Sequence, residues 1–474
     1  MTDSSQPAPT VFVLFGATGD LAKRMVLPAF FALAQHDLLP DRWLLVGNGR
    51  GDVSHEDFKG HVHDVLTEFG PKPEDGPWEE FSTRLRFAGG GFESSDPGSL
   101  LDVLAAARRE LGEDAQYIHY LAIPPSAFIK VTEGLGTHEL AAGSRVVYEK
   151  PFGTSPSGFT ELDEAVHRVL DEEQVFRIDH FLGKEATQDL HTLRFGNGLF
   201  ETVWRREHVR AVQIDVPETL DIDDRAAFYD ETGALLDMLV THLFQVAAEV
   251  AMEPPTDLSA DALQDARETV VGAFRPLAPE DVVLGQFDGY RGTEGIAADS
   301  QTDTFVAARL WVDTDRWRGV PFLLRTGKQL AAGEQRVSLI FLEPVDGPLS
   351  HQLPPTGNVL SISLAGAGSV GLRLVLKEPG AAYSLTTGTT DLALGSLRDA
   401  DPLPPYVKLI HDVVLGDRSL FTRPDGLAAT WATIAPVLDH RPPVQPYARG
   451  SWGPPAAAEL AAPDGWLVGQ DGGP

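Results

Sequence analysis

An apolar run that stops at glycine restricts the folding of this chain more than any other feature. TVFVLF (Thr10–Phe15) leads into Gly16 and Gly19, and then Leu21, Met25, Leu27, Phe30, Phe31 and Ala34 recur at helical intervals. After HDLLPD comes a second buried-looking run, RWLLVGNGR. Strand, helix, strand in that order is a βαβ unit, which demands a parallel sheet with right-handed crossovers. The pattern continues with a helix around Leu100–Leu111, the strand-like YIHYLAI, a helix after Pro125 and the strand RVVYEK.

Around Phe195 the texture changes. Apart from one long helix, Ala234–Met252, about six β-rich runs follow without intervening helices. They are VRAVQIDV, DTFVAARLWVD, PFLLRTG, RVSLIFL, VLSISLA and GLRLVLKEP, and they read as a largely antiparallel sheet in an α+β domain. The expected fold class is therefore α/β plus α+β. A Rossmann-like domain should occupy residues 1–178, and a large domain with a broad, mostly antiparallel sheet should occupy residues 179–474. The closing GPPAAAELAAPDGWLVGQDGGP, rich in Gly, Pro and Ala, reads as an irregular tail over the surface.

Composition removes whole classes of function. Lys plus Arg number 38 against 69 Asp plus Glu, a net charge of −31, so phosphate backbones are repelled and nucleic acid is not an expected partner. There is no Cys, which excludes disulfides, thiolate nucleophiles and Cys-ligated metal. The opening MTDSSQPAPT lacks the basic and apolar regions of a signal peptide. No run of about 18 apolar residues is evident, so no membrane span is expected. The expectation is a soluble, cytoplasmic protein.

The turn Gly16-Ala17-Thr18-Gly19-Asp20 is not GxGxxG, yet its physics suits a pyrophosphate. Glycines admit close backbone approach, and the following helix presents free N–H groups and its positive dipole end. A glycine-rich strand–turn–helix also forms with no ligand. The second strand ends Gly47-Asn48-Gly49-Arg50, where NAD enzymes place an acid for the ribose 2′-hydroxyl. A guanidinium there suits a 2′-phosphate and hence NADP, the alternative being that Arg50 is a solvated loop cation.

The segment VFRIDHFLGKEATQDLHTLRF runs from a strand into Asp179, His180, Gly183 and Lys184, with a helix starting near Glu185. Ammonium, imidazole and orphan N–H groups converge there on what could be a phosphate site, or else a capped helix with surface charges. It is not a P-loop, because Glu185 stands where Ser or Thr should follow the lysine. In GALLDMLVTHLFQVAAEVAM, Asp237, Thr241, Gln245 and Glu249 recur at four-residue steps along one polar stripe, with His242 near its edge. Such a stripe is usually the solvated face of an amphipathic helix, and spacing does not decide whether His242 is structural or catalytic.

Together these residues resemble the glucose-6-phosphate dehydrogenase family. The marks are GATGDLAKR (Gly16–Arg24), EKPFG (Glu149–Gly153), RIDHFLGKE (Arg177–Glu185), GALLDMLVTH (Gly233–His242), PFLLRTGK (Pro321–Lys328) and YARGSWGP (Tyr447–Pro454), in family order along nearly the whole chain. The resemblance implies a dinucleotide-binding domain and a larger α+β domain that binds substrate and whose sheet forms a dimer interface. It implies an NADP-linked oxidation of glucose 6-phosphate at C1 to the 6-phosphogluconolactone, in a homodimer or homotetramer. His242 aligns with the general base and Asp179 with the carboxylate that orients it. His180 and Lys184 align with residues holding the sugar phosphate. Lys150 lies between cofactor and substrate and precedes a proline, Pro151, that is cis in the family. Glu218, Asp237 and Lys328 align with contacts to the sugar hydroxyls. Gly16, Thr18, Gly19, Asp20 and Leu21, with Arg50 and Lys150, fall on cofactor-binding positions.

The chemistry agrees with the inventory of residues. Oxidising a pyranose C1 hydroxyl needs a base for the hydroxyl proton while hydride leaves for nicotinamide, and no metal is implied. Two positions depart from the family pattern: Phe181 replaces the usual Tyr after His180, and Gly333 replaces a Lys or Arg five residues past Lys328. Both losses weaken the binding of an anion. They leave two other readings open: a dehydrogenase of another hexose phosphate or free glucose, and a non-catalytic paralogue that scaffolds an active enzyme.

Overall fold

The structure is a computed structural model that describes residues 8–51, 53–222, 226–354, 356–398 and 401–469. The chain divides into two compact units. The first comprises Met1–Gly183, Ser259–Gln264 and Pro404–Pro424, and the second Lys184–Leu258, Asp265–Leu403 and Asp425–Pro474. The step from one to the other thus falls at Gly183/Lys184, five residues beyond the expected 178, and two later segments return to the first unit.

The first unit is a six-stranded parallel sheet of order β3-β2-β1-β4-β5-β6, formed by β1 (Thr10–Phe15), β2 (Trp43–Asn48), β3 (Leu85–Ala88), β4 (Gln116–Leu121), β5 (Arg145–Tyr148) and β6 (Val175–Arg177). This is the doubly wound order of a dinucleotide-binding fold, reversing beside β1. β1 and β2 are buried at every residue because helices cover both faces, which explains their unbroken apolar runs. Helix Leu27–Gln35 packs on helix Pro405–Leu415, and Arg145 binds the carbonyls of Val413 and Val414 at the end of the latter (2.7 and 2.6 Å).

The second unit is built on a nine-stranded sheet of order β14-β13-β12-β11-β7-β10-β9-β8-β15. Its strands are β7 (Val209–Pro217), β8 (Val282–Phe287), β9 (Phe305–Trp311), β10 (Pro321–Gly327), β11 (Arg336–Phe341), β12 (Val359–Ser363), β13 (Ser369–Lys377), β14 (Leu385–Ala393) and β15 (Val444–Tyr447). Pairing is antiparallel except β7 with β10 and β8 with β15, so the sheet is mostly antiparallel as expected.

Three expectations are corrected. Helices Ala260–Val271, Pro405–Leu415 and Pro424–Asp439 interrupt the β-rich half, which was read as free of them. The closing segment is no loose tail. It forms helix Pro455–Leu460 and then buries Trp466, Leu467 and Val468. Gln213 on β7 holds it by donating to Gly465 O (2.7 Å) and accepting from Leu467 N (2.9 Å), and Arg325 on β10 donates to Val468 O (2.9 Å). Gly and Pro punctuation hid a segment whose aromatic content is spent on the core. Finally, the helical stretch Tyr229–Ala251 is long and apolar enough to cross a bilayer, although no such run was expected. Of its most apolar window 83% is buried inside the protein, as befits a core helix.

Candidate active site

In the first unit, the turn after β1 folds onto the end of β2. The amides of Gly16 and Ala17 both donate to Asn48 O (3.0 and 3.1 Å), and Gly19 N closes the turn on Gly16 O (2.8 Å). Gly16 sits at φ 75°, and a Cβ there would stand 2.3 Å from Ala122 O, so only glycine fits. The turn exposes Thr18 and Asp20, with Leu21 half-buried, and runs through a π-type turn, Ala22–Val26, into helix Leu27–Gln35. Asp20 is held by Arg24 one turn on (2.7 Å).

Asn48 braces the neighbouring loop by donating to Ala88 O and Gly91 O (both 3.1 Å). Arg50 follows, exposed, its stem passing Gly91. Thr18 Oγ1 lies beside Gly49, so the glycine turn and the Arg50 loop are neighbours. A dinucleotide with a 2′-phosphate fits this donor set: a backbone cradle closed to side chains, and a guanidinium where an NAD enzyme would present an acid.

Lys150 follows β5, with a cis bond to Pro151. Beside it Glu149 is buried, accepting from Tyr120 Oη on β4 (2.5 Å) and from Tyr406 Oη (3.3 Å). Burial pushes its carboxyl up to about 7, despite the hydrogen bond from Tyr120 and the charge of Lys150. Asp179 is also buried, and its Oδ1 accepts from Phe181 N (2.8 Å). His180 lies between rings, near-parallel to Tyr406 (centroids 6.3 Å apart) and tilted against the buried Phe181 (5.0 Å).

In the second unit, Lys184 is the N-cap of helix Glu185–Phe195. Its Nζ donates to Gln335 Oε1 (2.6 Å) and Leu364 O (3.0 Å). The parallel pairing of β7 and β10, with Pro217 opposite Gly327, brings Glu218 and Lys328 out at the same end of the sheet. There Glu218 Oε2 and Lys328 Nζ form an ion pair at 2.6 Å, and Lys328 Nζ stands 5.8 Å from the centre of the Tyr229 ring. Tyr229 is buried, and its hydroxyl has no hydrogen-bond partner among the described residues. Burial raises its pKa well above 10, and Asp237, Asp303 and Glu218 raise it further.

Asp237 and His242 ride on a π-type segment, Leu235–Leu243, that continues as helix Phe244–Ala251. The segment starts where Gly233, at φ 64°, lets the chain pass Asp303: a Cβ on Gly233 would meet Asp303 Oδ1 at 2.7 Å. Asp303 Oδ2 in turn accepts from Leu235 N (2.7 Å), capping the new turn. Thr241 Oγ1 donates to Leu236 O, five residues back (2.9 Å), in keeping with the wider π spacing. His242 is wholly buried, while Asp237 is half-buried.

The stripe did not become a solvated face. Gln245 and Glu249 are both buried, and Glu249 is bound by His191 and by Arg267 Nε (2.5 Å). Within each unit, then, the structure gathers the glycine turn with Arg50, and Glu218 with Lys328. It also supplies partners that sequence reasoning missed: Gln335 on Lys184, Tyr229 under Lys328, and the Tyr120–Glu149–Tyr406 cluster beside Lys150. Local sequence carries no signal for any of these pairings, which join residues far apart along the chain.

Comparison with known proteins covers both halves. The family description "Glucose-6-phosphate dehydrogenase, NAD binding domain" matches residues 13–189, and "Glucose-6-phosphate dehydrogenase, C-terminal domain" matches residues 191–467. Glucose-6-phosphate 1-dehydrogenase 2 of Mycobacterium tuberculosis (strain ATCC 25618 / H37Rv) is 37% identical over 478 residues, covering 95% of this chain and 93% of the relative. The crystal structure of glucose-6-phosphate 1-dehydrogenase from Mycobacterium avium superposes with a TM-score of 0.87 at 33% identity, covering 98% of each chain. A glucose-6-phosphate dehydrogenase solved in complex with its substrate glucose 6-phosphate gives a TM-score of 0.90 at 30% identity, covering 98% of this chain and 99% of that one.

Proposed function

The chain belongs to the glucose-6-phosphate dehydrogenase family, and from that premise we propose that it oxidises glucose 6-phosphate at C1 to the 6-phosphogluconolactone with NADP as hydride acceptor. The observation that carries the reading is His242, an imidazole held wholly buried on the same helical segment as Asp237. An imidazole titrates near neutral pH and is suited to accept the C1 hydroxyl proton as hydride departs. NADP supplies the acceptor carbon for that hydride.

The roles proposed are those that the family resemblance implies for these positions. His242 is assigned as the base and Asp179 as the carboxylate that orients it and stabilises the imidazolium. His180 and Lys184 are assigned to the phosphate. Glu218, Asp237 and Lys328 are assigned to the sugar hydroxyls, where the acid–base pairing of Glu218 and Lys328 offers both acceptor and donor. Lys150 is assigned to the space shared by sugar and nicotinamide. Gly16, Thr18, Gly19, Asp20, Leu21 and Arg50 are assigned to NADP. The first unit then serves as the NADP-binding domain and the second as the substrate-binding and dimerisation domain.

A homodimer or homotetramer belongs to the same proposal. On the outer strands, Leu374, Leu376 and Leu392 lie exposed on one face of the β13–β14 ribbon, and sedimentation velocity tests for the assembly. We further place the enzyme in the cytoplasm, because both small molecules carry phosphate charges that hydrocarbon excludes. Reduced-nicotinamide absorbance with NADP and NAD, against glucose 6-phosphate, other hexose phosphates and glucose, tests the activity. Turnover highest with a sugar other than glucose 6-phosphate would favour the second reading, to which Gly333 and Phe181 point. No turnover with any of them would leave the scaffolding paralogue.

A further inference from the structure

Three ionisable side chains meet in the interior of the second unit, away from the residues assigned to substrate. Glu249, 2% exposed, binds His191, 9% exposed, through one carboxylate oxygen and Arg267, 1% exposed, through the other, with Arg267 Nε at 2.5 Å. Burial alone would push the Glu249 carboxyl up, but the charges of Arg267 and then His191 hold it down at about 2. The three belong to three helices: Glu185–Phe195, Phe244–Ala251 and Ala260–Val271.

Stability is a poor reason for such a triad. Each buried ion gives up several kcal/mol of hydration, and apolar side chains of similar volume usually serve the fold as well or better. What the triad adds is direction. Leucine against leucine tolerates a slip of one helix along another, whereas two charged hydrogen bonds to one carboxylate are satisfied in a single register.

The placement of the triad says what that register governs. His191 lies seven residues beyond Lys184 on one helix, and Glu249 lies seven residues beyond His242 on another helical stretch. Both assigned residues are therefore two turns from the same pin. Arg194 reinforces it by donating to Val250 O (3.2 Å), the carbonyl that also accepts from Trp204 Nε1 (2.9 Å).

We propose that His191, Glu249 and Arg267 are positioning residues that lock the helix carrying Lys184 against the helix carrying His242, and so set the separation between the ammonium that holds the phosphate and the imidazole that takes the C1 proton. The inference rests on the roles given to Lys184 and His242 above. Its chemical logic lies in the substrate: a pyranose is rigid, its phosphate and its C1 hydroxyl are at opposite ends, and both must be met at once. A misplacement of about 1 Å costs on the order of a hundredfold in rate.

The test replaces the whole triad by apolar residues, His191→Leu with Glu249→Leu and Arg267→Met, in the full-length enzyme. The melting temperature should be preserved or raised, while kcat/KM for glucose 6-phosphate falls at least about tenfold and KM for NADP stays unchanged. Should that variant fail to fold, His191→Phe retains the Glu249–Arg267 pair and should show the same loss, and His191→Gln, which restores a donor to Glu249, should recover most of it. Unaltered kinetics in the folded triple variant, or in His191→Phe, would overturn the proposal. So would a loss in His191→Phe that His191→Gln does not relieve. An unaltered enzyme that does not turn over glucose 6-phosphate would instead overturn the functional reading on which the inference stands.

Discussion

Tyr120 Oη donates to Glu149 Oε1 at 2.5 Å, joining neighbouring strands β4 and β5 immediately before Lys150. Burial raises the Glu149 carboxyl from 4.5 to about 7, so the fold keeps its proton over a range where the unfolded chain has released it. The stability this provides is complete below pH 4.5 and is lost as pH rises through 7, about 3 kcal/mol in all. His119, buried on β4, has the opposite sign: burial lowers it from 6.5 to about 4, so its contribution is complete above pH 6.5 and is lost as pH falls toward 4. In the unaltered enzyme the two slopes largely cancel. Glu149→Gln should unmask the His119 slope, and its melting temperature relative to the unaltered protein should rise between pH 4.5 and 7. A constant difference across that range would refute the assignment.

His242→Asn keeps the size and polarity of the buried group but not its basicity. Loss of a general base should lower kcat by about 10²–10⁴ with little change in KM for the sugar phosphate. Stopped-flow measurement of nicotinamide reduction checks this directly, and turnover near the unaltered rate would remove His242 from the chemistry.

Arg50→Ala removes an exposed guanidinium from the loop beside the glycine turn. A charged hydrogen bond to a 2′-phosphate is worth about 1.5–3 kcal/mol, so NADP should bind roughly tenfold to a hundredfold more weakly while NAD is nearly unaffected. Titration calorimetry with both nucleotides separates this from a general weakening of the fold, in which the two would lose affinity equally.

Gly333 stands two residues before Gln335, the partner of Lys184, and its position admits a side chain: a Cβ there meets only Thr219 Oγ1, at 3.7 Å. The neighbouring cation Arg336 is paired with Glu334. Gly333→Arg should therefore lower KM for glucose 6-phosphate roughly twofold to fivefold at low salt, the scale of an exposed ion pair, and lose that gain at about 1 M salt. A KM that is unchanged at low salt would place residue 333 away from the phosphate.

Trp466 is 6% exposed, donates from Nε1 to Ala457 O (2.7 Å) and stacks on Arg325 at 4.5 Å. Trp466→Ala should cost about 3–5 kcal/mol, both through the cavity and through loss of the ring over the buried Asp215–Arg325 pair. Chemical denaturation should show the loss in the midpoint, and a change below about 1 kcal/mol would mean that the closing segment only lies on the surface.

What could be read along the chain was whatever short-range pattern encodes. The runs TVFVLF and RWLLVGN, with Gly16 between them, identify a buried parallel sheet and a turn that admits only glycine, because strand burial and positive φ are local demands. RIDHFLGKE likewise places a lysine at a helix start, since capping is decided within one turn. The rest depended on pairings between distant residues. A four-residue stripe looks the same whether Glu249 faces water or the buried His191 and Arg267, and only packing chose the second. The parallel match of β7 to β10 that joins Glu218 to Lys328 spans more than a hundred residues, and the return of Pro404–Pro424 to the first unit spans more than two hundred. Sequence periodicity states how much of an element is to be buried; which surface buries it is settled by the other elements competing for the same core.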